Sequence, residues 1–148
     1  MKKFFTAAVL LINCVAFCQI KVIPTTPLED IGKIGLKDVY IQKEGDEFTV
    51  FYKNIEIKDS DALRKFSFKN VDNDFDNLYT IIMEGFKASP LYDIKLELPN
   101  DYVWLHYTRK ADKLTVQLMS SNKATATTGI SDFLSRDQIG KLFGKGEM

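Results

Sequence analysis

Cysteine is nearly absent from this chain, and its scarcity excludes several kinds of site. The 148 residues contain two cysteines, Cys14 and Cys18, and both lie in a segment at the start that resembles an export signal. Without that segment, the chain has no thiol for a disulfide, a metal thiolate or a cysteine nucleophile. The remaining length can bury roughly two thirds of the unfolded surface, so a single domain needs no covalent staple.

Histidine and the common catalytic motifs are also scarce. His106 is the single histidine, so a zinc site built from several histidines is excluded. No G-x-S-x-G elbow or Gly-rich phosphate loop is present. Asp72–Asp76 starts like a calcium loop, but Asn77 stands where that loop needs glycine and Met83 where it needs glutamate. We therefore expect no metal, no cofactor and no catalytic residues.

A surplus of basic charge is missing as well. The chain has 20 Lys and Arg against 20 Asp and Glu, and without Lys2 and Lys3 the balance is 18 against 20, a net charge of −2. A nucleic-acid-binding protein needs a basic surplus to displace counterions from phosphates. No polybasic cluster for anionic lipid is present either. These observations argue against nucleic acid or a membrane surface as the partner.

The most informative feature that is present is the amino-terminal segment, residues 1–18. Lys2 and Lys3 are followed by the apolar run Phe4–Ile12, the pattern of a secretory signal peptide. A membrane span would need about 20 apolar residues, and Asn13 interrupts the run before that length. We predict cleavage after Cys18, a periplasmic or secreted location, and no stable membrane insertion afterwards.

The end of this segment also bears on lipid attachment. Ala16 and Cys18 are small residues at the two positions that a cleavage site requires. A lipoprotein signal needs a small residue directly before its modified cysteine, and Phe17 is bulky. A lipid anchor at Cys18 is therefore disfavoured.

The mature chain is predicted to begin with an unpaired segment and to continue as one domain. Residues 19–37 contain Pro24 and Pro27, which oppose regular pairing, so this range is predicted to be an extended lead-in. The single domain is predicted over residues 38–148.

Alternation of apolar and polar residues predicts strands in two runs. The first run is a hairpin over Val39–Ile41 and Phe48–Tyr52, with a further short strand over Phe66–Phe68. Asp59–Asp61 breaks the alternation between them. The second run is a meander over Ile94–Leu98, Tyr102–Arg109 and Leu114–Leu118. Residues 120–129 are small and polar and are predicted to form a flexible loop.

Two helices complete the predicted fold. Apolar residues from Phe75 to Phe86 recur with the period of a helix. This helix is predicted to be capped at its start by Asp72, Asn73 or Asp74 and to end at Ser89-Pro90. A short C-terminal helix is predicted from the capping-box spacing of Ser135 and Gln138, with Gly144 as its stop. Strands in runs favour an α+β fold. We expect one antiparallel sheet of about five or six strands with both helices on one face.

The strand Tyr102–Arg109 carries the candidate binding residues. Tyr102, Trp104 and His106 share one face of this strand. Phe51 belongs to the earlier strand Phe48–Tyr52, on the face opposite to Phe48, Val50 and Tyr52. Exposed aromatic rings supply much of the binding energy at protein interfaces. The alternative is that the lead-in or the C-terminal helix covers this face, which would make Trp104 a core residue.

These features predict a small exported, non-catalytic protein-binding module, such as a periplasmic inhibitor or an immunity protein against an envelope-acting toxin. Its partner would be another envelope or secreted protein. One alternative is a periplasmic carrier that holds a small ligand or lipid between the sheet and the long helix. The least favoured alternative is an enzyme in which His106 acts with a carboxylate such as Asp101 or Glu97.

Overall fold

A computed structural model describes residues 22–58 and 62–146 of the chain. The predicted signal peptide and the predicted break at Asp59–Asp61 lie outside the described residues. The elements in chain order are β1 (Leu28–Ile34), β2 (Val39–Glu44), β3 (Glu47–Lys53), β4 (Leu63–Lys69), α1 (Asp74–Ala88), β5 (Ile94–Glu97), β6 (Asp101–Lys110), β7 (Lys113–Asn122), β8 (Thr128–Ile130) and α2 (Arg136–Leu142).

The strands form two antiparallel sheets of four strands each, β1-β2-β3-β4 and β5-β6-β7-β8. In both sheets each strand pairs with the next one along the chain, and α1 connects the sheets. The predicted α+β class is confirmed. The prediction of one sheet of five or six strands is wrong, because alternation shows that a strand has a buried face but not which strands share a sheet.

The two strands that were not predicted, β1 and β8, are at sheet edges. Pairing of β1 with β2 begins at Leu28, directly after Pro27, so the prediction of an unpaired lead-in fails from that residue onward. β8 pairs with β7 through Met119 and Ile130. The start of the predicted flexible loop belongs to β7, and Ser120 there is buried. Both new strands lack a regular apolar alternation, which is why the pattern did not indicate them.

Helix α1 has the predicted apolar stripe but a different start. It buries Leu78, Ile82 and Gly85. Asn73 precedes it in a left-handed conformation and makes no side-chain cap hydrogen bond. The Asn70 side-chain oxygen instead accepts a hydrogen bond from the Phe75 backbone N–H at 2.9 Å. Asn73 therefore occupies the N-cap position, one of the three predicted, but the expected hydrogen bond from its side chain to the helix is not made. The helix ends at Ser89, as predicted.

Helix α2 has the predicted capping box. The Gln138 backbone N–H donates to the Ser135 hydroxyl at 3.2 Å, and the Ser135 N–H donates to the Gln138 side chain at 2.8 Å. The helix packs closely on β1, where a Cβ on Gly32 would lie 2.4 Å from the Leu142 carbonyl oxygen. Within the described ranges, neither helix is long and apolar enough to cross a membrane.

The inner faces of both sheets share one hydrophobic core with the helices. Polar contacts join the sheets at its border. The Tyr52 hydroxyl of β3 lies 2.5 Å from the Ser120 hydroxyl of β7 and donates to the Gly129 carbonyl of β8 at 3.1 Å. The Ile130 N–H donates to the Asn54 side chain at 3.1 Å. These bonds fix the position of one sheet against the other.

Candidate functional site

Strand β6 divides its side chains between the core and the outer surface. The inward-facing side chains are Val103, Leu105 and Tyr107, and all three are buried. Tyr102, Trp104 and His106 alternate with them on the outer face and are half-buried. Trp104 lies outside the hydrophobic core, because α2 packs near β1 and does not cover this face. The alternative in which Trp104 is an ordinary core residue is therefore wrong.

A lysine holds two of these aromatic rings together. Lys95 of β5 pairs with Trp104 across the sheet, so both side chains are on the outer face. Its ammonium nitrogen lies 4.3 Å from the Tyr102 ring centroid and 5.3 Å from that of Trp104. The two ring centroids are 6.1 Å apart. Cation–π attraction from one ammonium therefore restrains both rings.

A second lysine sits at the Tyr102 end of this face. The Lys123 ammonium is 4.8 Å from the Tyr102 ring centroid and 2.9 Å from a carboxylate oxygen of Glu97. The hydrogen bond from Lys123 holds the pKa of Glu97 below its usual range. The Tyr102 ring thus has two ammonium groups near it.

His106 is bonded to a carboxylate that sequence reasoning did not name. The His106 Nδ1 atom lies 2.6 Å from an oxygen of Asp93. The pairing of Ile94 with Leu105 places the residue before β5 opposite His106. Asp101 is buried instead and accepts a hydrogen bond from Asn122. The partners suggested for His106, Asp101 and Glu97, are therefore wrong.

A depression of about 350 Å³ opens beside Trp104. We call it the Trp104 pocket. Its lining includes Trp104, Met119, Ile130, Thr128 and two carboxylate residues, Glu56 and Asp93. The first three belong to one cross-strand row, since Trp104 pairs with Met119 and Met119 pairs with Ile130. The pocket therefore has an apolar wall and acidic residues around it.

Two large apolar side chains that precede Asp93 in the sequence are exposed. Leu91 is 93% and Tyr92 85% exposed, and both lie in the turn between α1 and β5, directly before Asp93. Sequence reasoning missed them. A turn lacks the apolar periodicity from which the burial of a side chain can be predicted, so the sequence carries no signal for their exposure. We call Leu91, Tyr92, Trp104, Tyr102 and His106 together the β6 face.

Phe51 lies in the other sheet, on the outer face of β3. It stacks on Tyr40 with ring centroids 4.7 Å apart and an angle of 9° between the rings. Lysines also accompany this pair, with Lys65 5.9 Å from the Phe51 centroid and Lys37 5.6 Å from that of Tyr40. The structure thus brings Tyr102, Trp104 and His106 together but places Phe51 in a separate aromatic pair.

An apolar crevice runs between α1 and β5. It has a volume of about 530 Å³, and its lining includes Phe68, Leu78, Ile81, Leu96 and Leu98. This is the region where the carrier alternative predicts a cavity. The crevice is open along one side, with Lys69 and Lys95 among the residues that line it.

Comparison with known proteins assigns no relative to this chain. No family model, curated protein or solved structure matches it. Among residues 22–58 and 62–146, no three His, Cys, Asp or Glu side chains are grouped as metal ligands. A functional assignment must therefore come from the side chains at the surface.

Proposed function

We propose that this protein is a small non-catalytic binding module that recognises another protein through the β6 face. The observation that carries the proposal is the aromatic stripe of β6, which lies outside the core. Large rigid rings bury much area at a small entropic cost, so they serve as anchors at protein interfaces. Leu91 and Tyr92, in the turn before β5, are exposed as well and add apolar surface.

The β6 face is well organised for recognition before any partner arrives. β6 is paired on both sides, with β5 and with β7. Lys95 lies against the rings of Tyr102 and Trp104. Groups that are already held in position lose little freedom on binding, which improves affinity. The Asp93–His106 pair adds a polar border beside the aromatic centre, as is typical of protein interfaces.

We propose further that the protein acts in the periplasm or outside the cell, as an inhibitor or an immunity protein against a toxin of the envelope. The signal-like sequence of residues 1–18 supports this location. A neutralising protein needs a stable scaffold and a preorganised surface, and the two sheets with the β6 face supply both. The partner would then be another envelope or secreted protein.

The test is affinity capture from envelope extract and from secreted protein, with matched variants on the column. We expect Trp104→Ala and Tyr92→Ala each to weaken retention of a specific partner by about tenfold or more, the effect of removing an aromatic anchor. Tyr40→Ala is the control, because it removes an aromatic side chain from the outer face of the other sheet. Retention that depends on Tyr40 and not on Trp104 would contradict the proposal.

The apolar crevice favours a second candidate, a carrier of a small apolar ligand. Its volume lies within the range of small-molecule sites, roughly 300–1,000 Å³. In that case, native mass spectrometry of protein purified from cells would show an added small-molecule mass. Leu96→Glu would remove that mass, since a charge in the crevice opposes apolar binding. A spectrum that contains only the bare chain contradicts the carrier function.

A further inference from the structure

The Trp104 pocket combines an aromatic wall with two carboxylate residues, Glu56 and Asp93, that form no ion pair with a lysine or arginine among the described residues. We propose that this pocket receives an arginine side chain from the partner protein. The inference rests on the proposed function and specifies the chemistry of the partner. It follows from three properties of the pocket, which are its charge, its shape and its aromatic wall.

The charge of the pocket comes from Glu56 and Asp93. The Glu56 carboxylate makes no hydrogen bond or ion pair with any described residue, and one Asp93 oxygen bonds His106. Lys95 and Arg64 form no ion pair with Glu56 or Asp93. Lys95 lies against the rings of Tyr102 and Trp104, and Arg64 donates to the Thr128 carbonyl at 3.1 Å. A cationic side chain would therefore complement the pocket, and an acidic one would be repelled.

The shape of the pocket suits a long side chain. Its volume of about 350 Å³ is at the small end of the range for ligand sites. Met119 and Ile130 offer apolar surface to an aliphatic stem, while Glu56 and Asp93 are available to a charged head. Arginine has this division, with an apolar stem and a charged tip.

The indole of Trp104 favours arginine over lysine. A planar guanidinium can stack on an aromatic face and at the same time donate hydrogen bonds to carboxylates. An ammonium makes a cation–π contact but cannot stack. Lys95 approaches Trp104 from the β5 side, whereas Met119 and Ile130 extend the pocket toward β8. The pocket therefore extends from Trp104 toward β7 and β8, away from the strand that carries Lys95.

The fluorescence of Trp104 can be used to test this proposal. Trp104 is the single tryptophan, so emission that is excited selectively at tryptophan reports on the surroundings of this one side chain. The probes are the acetylated tripeptide amide Gly-Arg-Gly and the same peptide with neutral citrulline in place of arginine. At constant ionic strength, we expect the arginine peptide to change the emission of the whole protein saturably, with a dissociation constant of about 1–10 mM. A response that is the same for both peptides, or absent from both, overturns the proposal.

A charge-removing variant provides the second measurement. Glu56→Gln should weaken binding of the arginine peptide by about two- to fivefold, the range for one exposed ion pair. Glu47→Gln removes a charge from the other sheet and should leave binding unchanged. Equal effects of the two variants would show that net charge, not the pocket, attracts the peptide.

Failure of this inference differs from failure of the proposed function. If Trp104→Ala abolishes capture of the partner while Glu56→Gln and excess arginine peptide do not affect it, the arginine assignment is wrong and the binding function stands. If capture is independent of Trp104, the proposed function is wrong. In that case, the tripeptide titration still shows whether the pocket binds an arginine side chain.

Discussion

The two faces of β6 differ in burial although both carry large side chains. Val103 and Leu105 are fully buried, while Trp104 between them is half-exposed and contacts a lysine. Each face carries large side chains, so hydrophobicity alone does not separate them. Adjacent residues of one strand can therefore have different roles, one in the stability of the core and the next at the surface.

The largest effect that tests this contrast is expected from Leu105→Ala. Truncation of this fully buried side chain should lower the free energy of unfolding by about 3 kcal/mol, since it loses apolar burial and leaves a cavity. Trp104→Ala removes a larger side chain but should cost less than about 1 kcal/mol. Urea denaturation of both variants measures the difference. Equal losses would show that Trp104 is part of the core.

A smaller effect is expected when a tyrosine hydroxyl is removed from either face of β6. The buried Tyr107 hydroxyl donates to the Ile82 carbonyl of α1 at 2.7 Å. Tyr107→Phe should therefore lower the free energy of unfolding by about 1 kcal/mol. Tyr102→Phe, on the outer face, should change it by no more than about 0.5 kcal/mol. The same denaturation experiment measures both, and a reversed order would contradict the assignment of the faces.

The buried tyrosine also predicts a dependence on alkaline pH. Burial raises the pKa of Tyr107 above its ordinary value. The folded state then retains a proton that the unfolded state loses, so stability should fall as pH rises above the unfolded pKa of about 10.

Urea denaturation between about pH 9 and pH 11 measures this fall. The fall in stability should be smaller in the Tyr107→Phe variant than in the wild type, and it should be unchanged in Tyr102→Phe. Burial also raises the pKa of Tyr52, so some dependence remains in both variants. Identical slopes for the wild type and Tyr107→Phe would contradict the prediction.

The smallest effect concerns the charges of the outer face. Lys123 lowers the pKa of Glu97, so this contact stabilises the fold above the unfolded pKa of Glu97 and is lost as pH falls through the folded pKa. In Lys123→Met, the pKa of Glu97 should return toward its ordinary value, as measured by NMR titration of the carboxyl carbon. Because Glu97 is exposed, the change in stability should be close to the error of the measurement. An unchanged pKa would contradict the contact.

The features that could be predicted from the sequence are those set by local chemistry. Alternation in Tyr102–Arg109 indicated the two faces of β6, because successive side chains of a strand point in opposite directions. The capping box of Ser135 and Gln138 was recognised because it needs only two side chains at a fixed spacing. The helical period of Phe75–Phe86 indicated α1 for the same reason.

The features that could not be predicted depend on distant pairing. β1 and β8 are edge strands whose pairing partners, and not their own patterns, make them strands. The division into two sheets depends on which strands meet in space, which alternation does not encode. Asp93 became the partner of His106 through the register of β5 on β6, and register is not visible in a single strand.

The packing of α2 on β1 has a consequence for how the chain is made. β1 is the first strand of the described chain and rests on its last helix, with the Gly32 backbone close against Leu142. The contact between them therefore cannot form during synthesis until α2 has left the ribosome.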